Sequence, residues 1–206
     1  MKALIIVDVQ LDFCPGGALA VKEGDQVVPV ANSIMDHFDL IIATKDWHPA
    51  NHKSFAAMHL WRKPGQVIEL NGLQQVLWPI HCVQDSFGSE FHKDLQIEKI
   101  DKIFYKGTDP EIDSYSGFFD NGKRKSTGLS DFLQKKGVNE VFILGLATDY
   151  CVKFTALDAK EEGFDTFVFI EGCRAVNLNE GDAQKAVKEM EATGVKIIND
   201  FSKFIT

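Results

Sequence analysis

The chain has 206 residues, 45% of them apolar, and a formal net charge of −8. That length and apolar fraction suffice for one core covering both faces of a sheet. The basic residues are scattered rather than clustered, which argues against nucleic acid and against an anionic membrane surface as partners.

The opening Met-Lys-Ala-Leu-Ile-Ile-Val-Asp is too short an apolar run to span a bilayer and has no small-residue cleavage site, so a cytoplasmic protein is expected. Within it, Ala3 to Val7 reads as a buried strand. Val27, Val30, Ala31, Ile34, Met35 and Phe38 then fall on one face at helical spacing, an amphipathic helix laid against a sheet. Leu40 to Thr44 is the next strand. Residues 45–101 break the rhythm: they are rich in Trp, His, Pro and Gly, and long irregular segments inside a domain usually carry sites. Regular alternation resumes with a strand at Lys102 to Tyr105, a helix carrying Leu129, Phe132 and Leu133, and a strand at Glu140 to Leu146. A helix presenting Val152, Ala156 and Ala159 follows, then a strand at Thr166 to Ile170. A helix with Ala183, Ala186, Val187 and Met190 leads to a last strand at Val195 to Ile198. Gly137, Gly163 and Gly194 stand where those helices should stop. Strands alternating with helices imply an α/β fold in three layers: an open, mainly parallel six-stranded sheet with helices on both faces. A single domain over 1–206 with a functional insertion around 45–101 is expected.

In such a sheet the ligand crevice lies beyond the carboxyl ends of the strands, and polar residues collect there. Asp8 closes the first strand, Lys45 and Asp46 follow the second, Lys106 the third, and Thr148, Asp149 and Cys151 the fourth. Cys151 is placed in the first turn of a helix capped by Thr148 or Asp149, where the positive helix end is expected to lower the thiol pKa and free N–H groups can hold an oxyanion. A packed structural cysteine is the competing reading, as it is for Cys14, Cys82 and Cys173; none of the four shows paired metal-ligand spacing, and all are expected to be reduced. Asp8 is suited to take the thiol proton and Lys106 to pair with Asp8, although each alone also reads as an ordinary strand-end charge. Asp46 and His48, two apart in an extended segment, project to one side. With His81 as third ligand they are suited to a divalent site that leaves positions open, although an Asp-x-His pair alone more often holds no metal.

These residues resemble the nicotinamidase/pyrazinamidase family of isochorismatase-like hydrolases, from about Ala3 to Asn199. The likeness rests on Leu4-Ile5-Ile6-Val7-Asp8-Val9-Gln10, Asp12-Phe13-Cys14-Pro15-Gly16-Gly17-Ala18-Leu19, Asp46-Trp47-His48-Pro49 and Trp78-Pro79-Ile80-His81-Cys82-Val83. Phe104-Tyr105-Lys106-Gly107, Tyr115-Ser116-Gly117-Phe118 and Ala147-Thr148-Asp149-Tyr150-Cys151-Val152 follow in the family's order. The resemblance implies a catalytic triad of Asp8, Lys106 and Cys151. It also implies a divalent ion, commonly zinc with iron or manganese as alternatives, on Asp46, His48 and His81, and an oxyanion hole from the backbone N–H groups of Ala147 and Cys151. The Leu146–Ala147 peptide is expected to be cis. Phe13, Trp61 and Tyr115 resemble the aromatic walls of the family's substrate pocket. Some members take a further histidine from the metal loop; His52 lies closer to His48 than that ligand and is not included in the set.

By the same resemblance the expected activity is removal of ammonia from nicotinamide, and from pyrazinamide, through a thioester on Cys151, in NAD salvage. The rivals are a vinyl-ether or carbamoyl hydrolase of the same fold, whose members generally lack the Asp-x-His loop, and a non-catalytic module that senses a pyridine. Homo-oligomer formation is left open by the sequence.

Overall fold

The computed structural model describes residues 1–201. Six parallel strands form the main sheet: β1 (Lys2–Val7), β2 (Leu40–Asp46), β5 (Lys102–Lys106), β6 (Glu140–Leu146), β7 (Asp165–Arg174) and β8 (Lys196–Ile198), in the order β5-β2-β1-β6-β7-β8. The α-helices among the described residues are α1 (Val27–Ile34), α2 (Leu129–Lys135), α3 (Lys153–Glu161) and α4 (Asp182–Ala192). The chain winds from β1 through β2 to β5, then jumps back past β1 to continue outward through β6, β7 and β8. Right-handed crossovers in opposite directions put helices on opposite faces, α1 on one and α2, α3 and α4 on the other. Every residue from Ala3 to Val7 and from Val141 to Leu146 is buried, because β1 and β6 are covered on both sides.

This winding has a switch point between β1 and β6, and the crevice outside their carboxyl ends is where a doubly wound sheet binds ligand. Register aligns those ends closely, with Val7 opposite Gly145 and Asp46 opposite Lys106. Gly145, at φ 125°, allows the approach, since a Cβ there would lie 2.1 Å from the Val7 carbonyl oxygen.

Residues 47–101 leave the sheet and return to it at β5. They contain an antiparallel hairpin, β3 (Val67–Leu70) and β4 (Leu73–Val76), whose register turns on Asn71 and Gly72, both at positive φ. The expected cap at the end of β6 is absent: neither Thr148 nor Asp149 caps a helix. The chain instead makes one wide π-helical turn over Thr148–Val152 before α3, and the Asp149 carboxylate accepts the N–H groups of Val176 and Asn177 at 2.9 and 2.7 Å. No helix among the described residues is long and apolar enough to cross a membrane.

Candidate active site

Asp8 is the first residue past β1, fully buried and at φ 48°. Its Oδ1 accepts from the Thr44 hydroxyl at 2.7 Å, and its Oδ2 lies 2.8 Å from Lys106 Nζ. Lys106, the last residue of β5, also donates to Asp46 Oδ1 and to the Ser114 carbonyl, each at 3.0 Å, and stands 3.4 Å from Cys151 Sγ. An ammonium has three N–H donors, so four close acceptors saturate it. Burial works against the Lys106 charge, but the carboxylates of Asp46 and Asp8 and the sulfur of Cys151 together hold its pKa well above the usual lysine range.

For Asp8 the balance tips the other way. Burial raises its pKa, Lys106 lowers it, the Asp46 charge raises it again, and the outcome is a value above the ordinary one. Cys151, the fourth of the five residues in the π-helical turn, corrects a sequence-based expectation. Burial pushes its thiol well up; Lys106 opposes this, while Asp8 and Asp46 reinforce it. The helix end does not override desolvation beside two carboxylates. The preceding Leu146–Ala147 peptide is cis, and Ala147 and Cys151 both line the cavity beside it.

That cavity opens to solvent between Phe13, Leu19, Asp46, Trp78, His81, Asp113, Tyr115, Ala147, Tyr150, Cys151 and Val176. Its aromatic walls with a few convergent polar groups are the usual lining of a small-molecule site. Phe13 and Tyr115 are among the walls; Trp61 is not. Trp61 is 96% exposed, at a left-handed turn (φ 63°) in a stretch where Phe55 and Ala56 are buried but Leu60 is not. The wall is Trp78. Its ring packs edge-on against Tyr150 at 4.8 Å and Tyr115 at 6.4 Å between centroids, and its indole N–H donates to the Tyr115 hydroxyl at 3.2 Å. Trp78 and Tyr150 were within reach of sequence reasoning, since each stands beside a residue singled out for chemistry, in Trp78-Pro79-Ile80-His81 and Tyr150-Cys151.

On the side of Asp46 away from Lys106, Oδ2 lies 3.1 Å from His48 Nε2 and 3.5 Å from His81 Nε2. These three donors lie within 4.8 Å of one another, close enough to share one ion at bonds of about 2.0–2.2 Å. The far nitrogens are engaged, His48 Nδ1 with the Gly107 carbonyl at 2.9 Å and His81 Nδ1 with the Pro79 carbonyl at 2.8 Å. That pairing places the proton on Nδ1 and leaves Nε2 as the ligand atom. Among the described residues the buried His48 Nε2 has no hydrogen-bond partner, an orphan that a cation explains. Gly107 must be glycine: at φ 64°, a Cβ would fall 2.4 Å from the His48 ring. Despite its burial, Asp46 is held well below the usual carboxylate range by His48 and Lys106, so it stays anionic.

His52 packs against His48 with the rings tilted and their centroids 4.2 Å apart, and it bonds Ser54 through Nδ1 at 2.7 Å. With Asp113, which the sequence pattern does not single out, His48 and His52 offer a second converging donor set. All four cysteines are free thiols.

Comparison with known proteins agrees with this geometry. Residues 2–200 match the isochorismatase domain family. The nicotinamidase of Escherichia coli is 49% identical over 202 residues, covering 95% of this chain and 93% of that protein. The solved structure of an Acinetobacter baumanii nicotinamidase/pyrazinamidase superposes with a TM-score of 0.93 at 44% identity, covering 96% of this chain and 95% of the other. A Pyrococcus horikoshii pyrazinamidase solved in complex with zinc is 38% identical, with a TM-score of 0.77 and coverage of 97% and 99%. On fold, site and similarity together, the chain belongs to the nicotinamidase/pyrazinamidase family of isochorismatase-like hydrolases.

Proposed function

We propose that this protein is a metal-dependent cysteine amidase that hydrolyses nicotinamide, and pyrazinamide with it, to the acid and ammonia. One observation carries the reading: Lys106 Nζ bridges Asp8 at 2.8 Å and Cys151 at 3.4 Å on the wall of an aromatic pocket that also contains Asp46 and His81. The whole chain acts as one hydrolase domain, with the insertion 45–101 supplying His48 and His81, and its product enters NAD salvage in the cytoplasm.

In this mechanism the pyridine ring lies among Phe13, Trp78, Tyr115 and Tyr150, and the carboxamide carbon faces Cys151 Sγ. Asp8 takes the thiol proton as the S–C bond forms. The N–H groups of Ala147 and Cys151 hold the oxyanion. Collapse breaks the C–N bond, and ammonia leaves with the proton that Asp8 returns. Water then gives a proton to Asp8 and attacks the thioester; nicotinate departs and the proton goes back to sulfur. Lys106 keeps Asp8 oriented throughout. A divalent ion on Asp46, His48 and His81, zinc being favoured by the donor set and iron or manganese also suited to it, supplies a Lewis acid at the pocket wall.

The test is ammonia release from nicotinamide by purified protein loaded with zinc, repeated after chelation and after adding the metal back. Turnover that is lost with the metal and restored by it is the expected result. Binding of nicotinamide by the metal-loaded protein with no ammonia released points to a sensor and ends the enzymatic reading.

Two further outcomes follow from the geometry. Trp78→Ala is expected to raise KM for nicotinamide about tenfold, roughly 1.4 kcal/mol of ring contact, while Trp61→Ala leaves it within about twofold because a solvated ring gives up no wall. Steady-state kinetics on the pair decides between the two tryptophans. The second outcome concerns pH: as it falls through the raised pKa of Asp8, the base becomes protonated and cannot accept the Cys151 proton. The acid limb of kcat/KM is therefore expected above the ordinary carboxylate range, and a profile flat down to that range contradicts the assignment of Asp8 as base.

A further inference from the structure

The backbones that carry the three proposed cation ligands are all tied to the short segment that follows Asp8. Gln10 is fully buried, and its amide makes three hydrogen bonds. Oε1 accepts from the Asp46 N–H at 2.7 Å, and Nε2 donates to the carbonyls of Asp46 at 2.8 Å and Ser89 at 2.9 Å. One side chain thus grips Asp46 at both its N–H and its C=O, fixing the residue whose carboxylate serves Lys106 with one oxygen and faces both histidines with the other.

Asp12 reaches the other two ligands one step removed, through Cys82. Its Oδ2 accepts from the N–H of Cys82 at 2.7 Å, and its Oδ1 from Ala18 at 3.1 Å. Cys82 immediately follows His81 and sits at φ 44°, a left-handed conformation that a non-glycine residue keeps only when its surroundings impose it. The Cys82 carbonyl accepts in turn from the His48 N–H at 3.0 Å. Gly88 lets the following loop close over this carboxylate, since a Cβ there would lie 2.2 Å from an Asp12 oxygen.

We propose that Gln10 and Asp12 are positioning residues for the divalent-cation site. Neither is a ligand; together they hold the backbones of Asp46, His48 and His81 so that the donor atoms converge before the cation arrives. The inference rests on the cation-site reading above and extends it to residues that only satisfy loop backbone if that extension is wrong.

Zinc affinity of the full chain, measured by competition with a chromophoric chelator, separates the two roles when read beside the melting temperature of the cation-free protein. Gln10→Met removes all three bonds without adding charge and is expected to weaken zinc binding about 10- to 100-fold, the usual effect of losing a partner behind the ligands. Asp12→Ala is expected to lose affinity as well, and Asp12→Asn, which keeps an oxygen for the Cys82 N–H, to recover most of it. Variants that melt lower yet bind zinc within about threefold of the parent overturn the inference, because partners of this kind act on metal affinity itself. A deficit that Asp12→Asn leaves unrepaired overturns it for Asp12, since charge and not positioning is then at work. If Gln10→Met does not fold, the Asp12 pair decides alone. A parent protein that binds no divalent cation defeats the site reading itself, which is a different result.

Discussion

Cys151→Ala is expected to release ammonia from nicotinamide at least about 10⁴-fold more slowly than the parent, because deleting a nucleophile leaves only binding and oxyanion stabilisation. The same variant should bind zinc as tightly as the parent. Sγ stands 3.4 Å from Lys106 and is not among the converging donors Asp46, His48 and His81. Replacing a buried thiol by a methyl group also removes an acceptor from a lysine that keeps two carboxylates and a carbonyl, so the fold should survive. Two measurements check this: kcat/KM by ammonia release, and zinc stoichiometry on the same preparation. Residual turnover at a tenth of the parental rate means that water attacks the amide directly, and the thioester is then wrong. The complementary observation is a nicotinoyl mass on Cys151 after rapid acid quench of the parent, the covalent intermediate itself.

How much of this was legible in the chain depended on whether a residue's neighbours are set by local period or by long-range winding. Glu140 to Leu146 reads as a strand and is one end to end, because a strand buried on both faces has no competing pattern. The helix read through to Phe38 ends at Ile34, and Met35–His37 tightens into a 3₁₀ turn that still buries Met35, so the apolar spacing outlasts the helix itself. The strand read as ending at Ile170 runs on to Arg174, where Glu171 and Gly172 break the apolar period although pairing with β6 continues through Cys173 and Arg174. Apolar period also passes over the β3–β4 hairpin, yet Asn71-Gly72 between two short apolar runs is a strong local turn signal. At the site, the meeting of Asp8, Lys106 and Cys151 follows from strand ends around a switch point. The choice of Trp78 over Trp61 does not, since both are tryptophans in the same irregular insertion. What separates them is that Trp78 stays beside His81 and the hairpin while Trp61 turns into solvent. Thiol acidity was the least legible property. The helix end is a local feature that sequence displays, but the desolvation and the two carboxylates that outweigh it come from other strands.

Lys106→Met is expected to damage stability and catalysis together. The substitution keeps the length of the side chain but removes the ammonium that pairs Asp8 at 2.8 Å and Asp46 at 3.0 Å. Stranding buried charges in this way costs about 3–5 kcal/mol at neutral pH, a large share of the stability of a domain. The pH dependence gives the cause away. Without Lys106, burial and the Asp46 charge act on Asp8 with the lowering influence of the lysine gone, so its folded-state pKa, already above the ordinary value, rises further, while His48 still holds Asp46 down. A carboxylate whose pKa is higher folded than unfolded binds more protons in the native state, so the cation-free variant should gain stability as pH falls and lose it as pH rises through the raised value of Asp8. Urea midpoints of the cation-free parent and variant across pH 5–8, a range of about three units around neutrality, test this. A deficit that does not grow with pH means that lost packing of the lysine stem, rather than unpaired charge, accounts for the damage. Added zinc should restore part of the deficit through Asp46 and none of it through Asp8. Activity stays low even then, because the base has lost the group that orients it and the sulfur has lost its nearest cation.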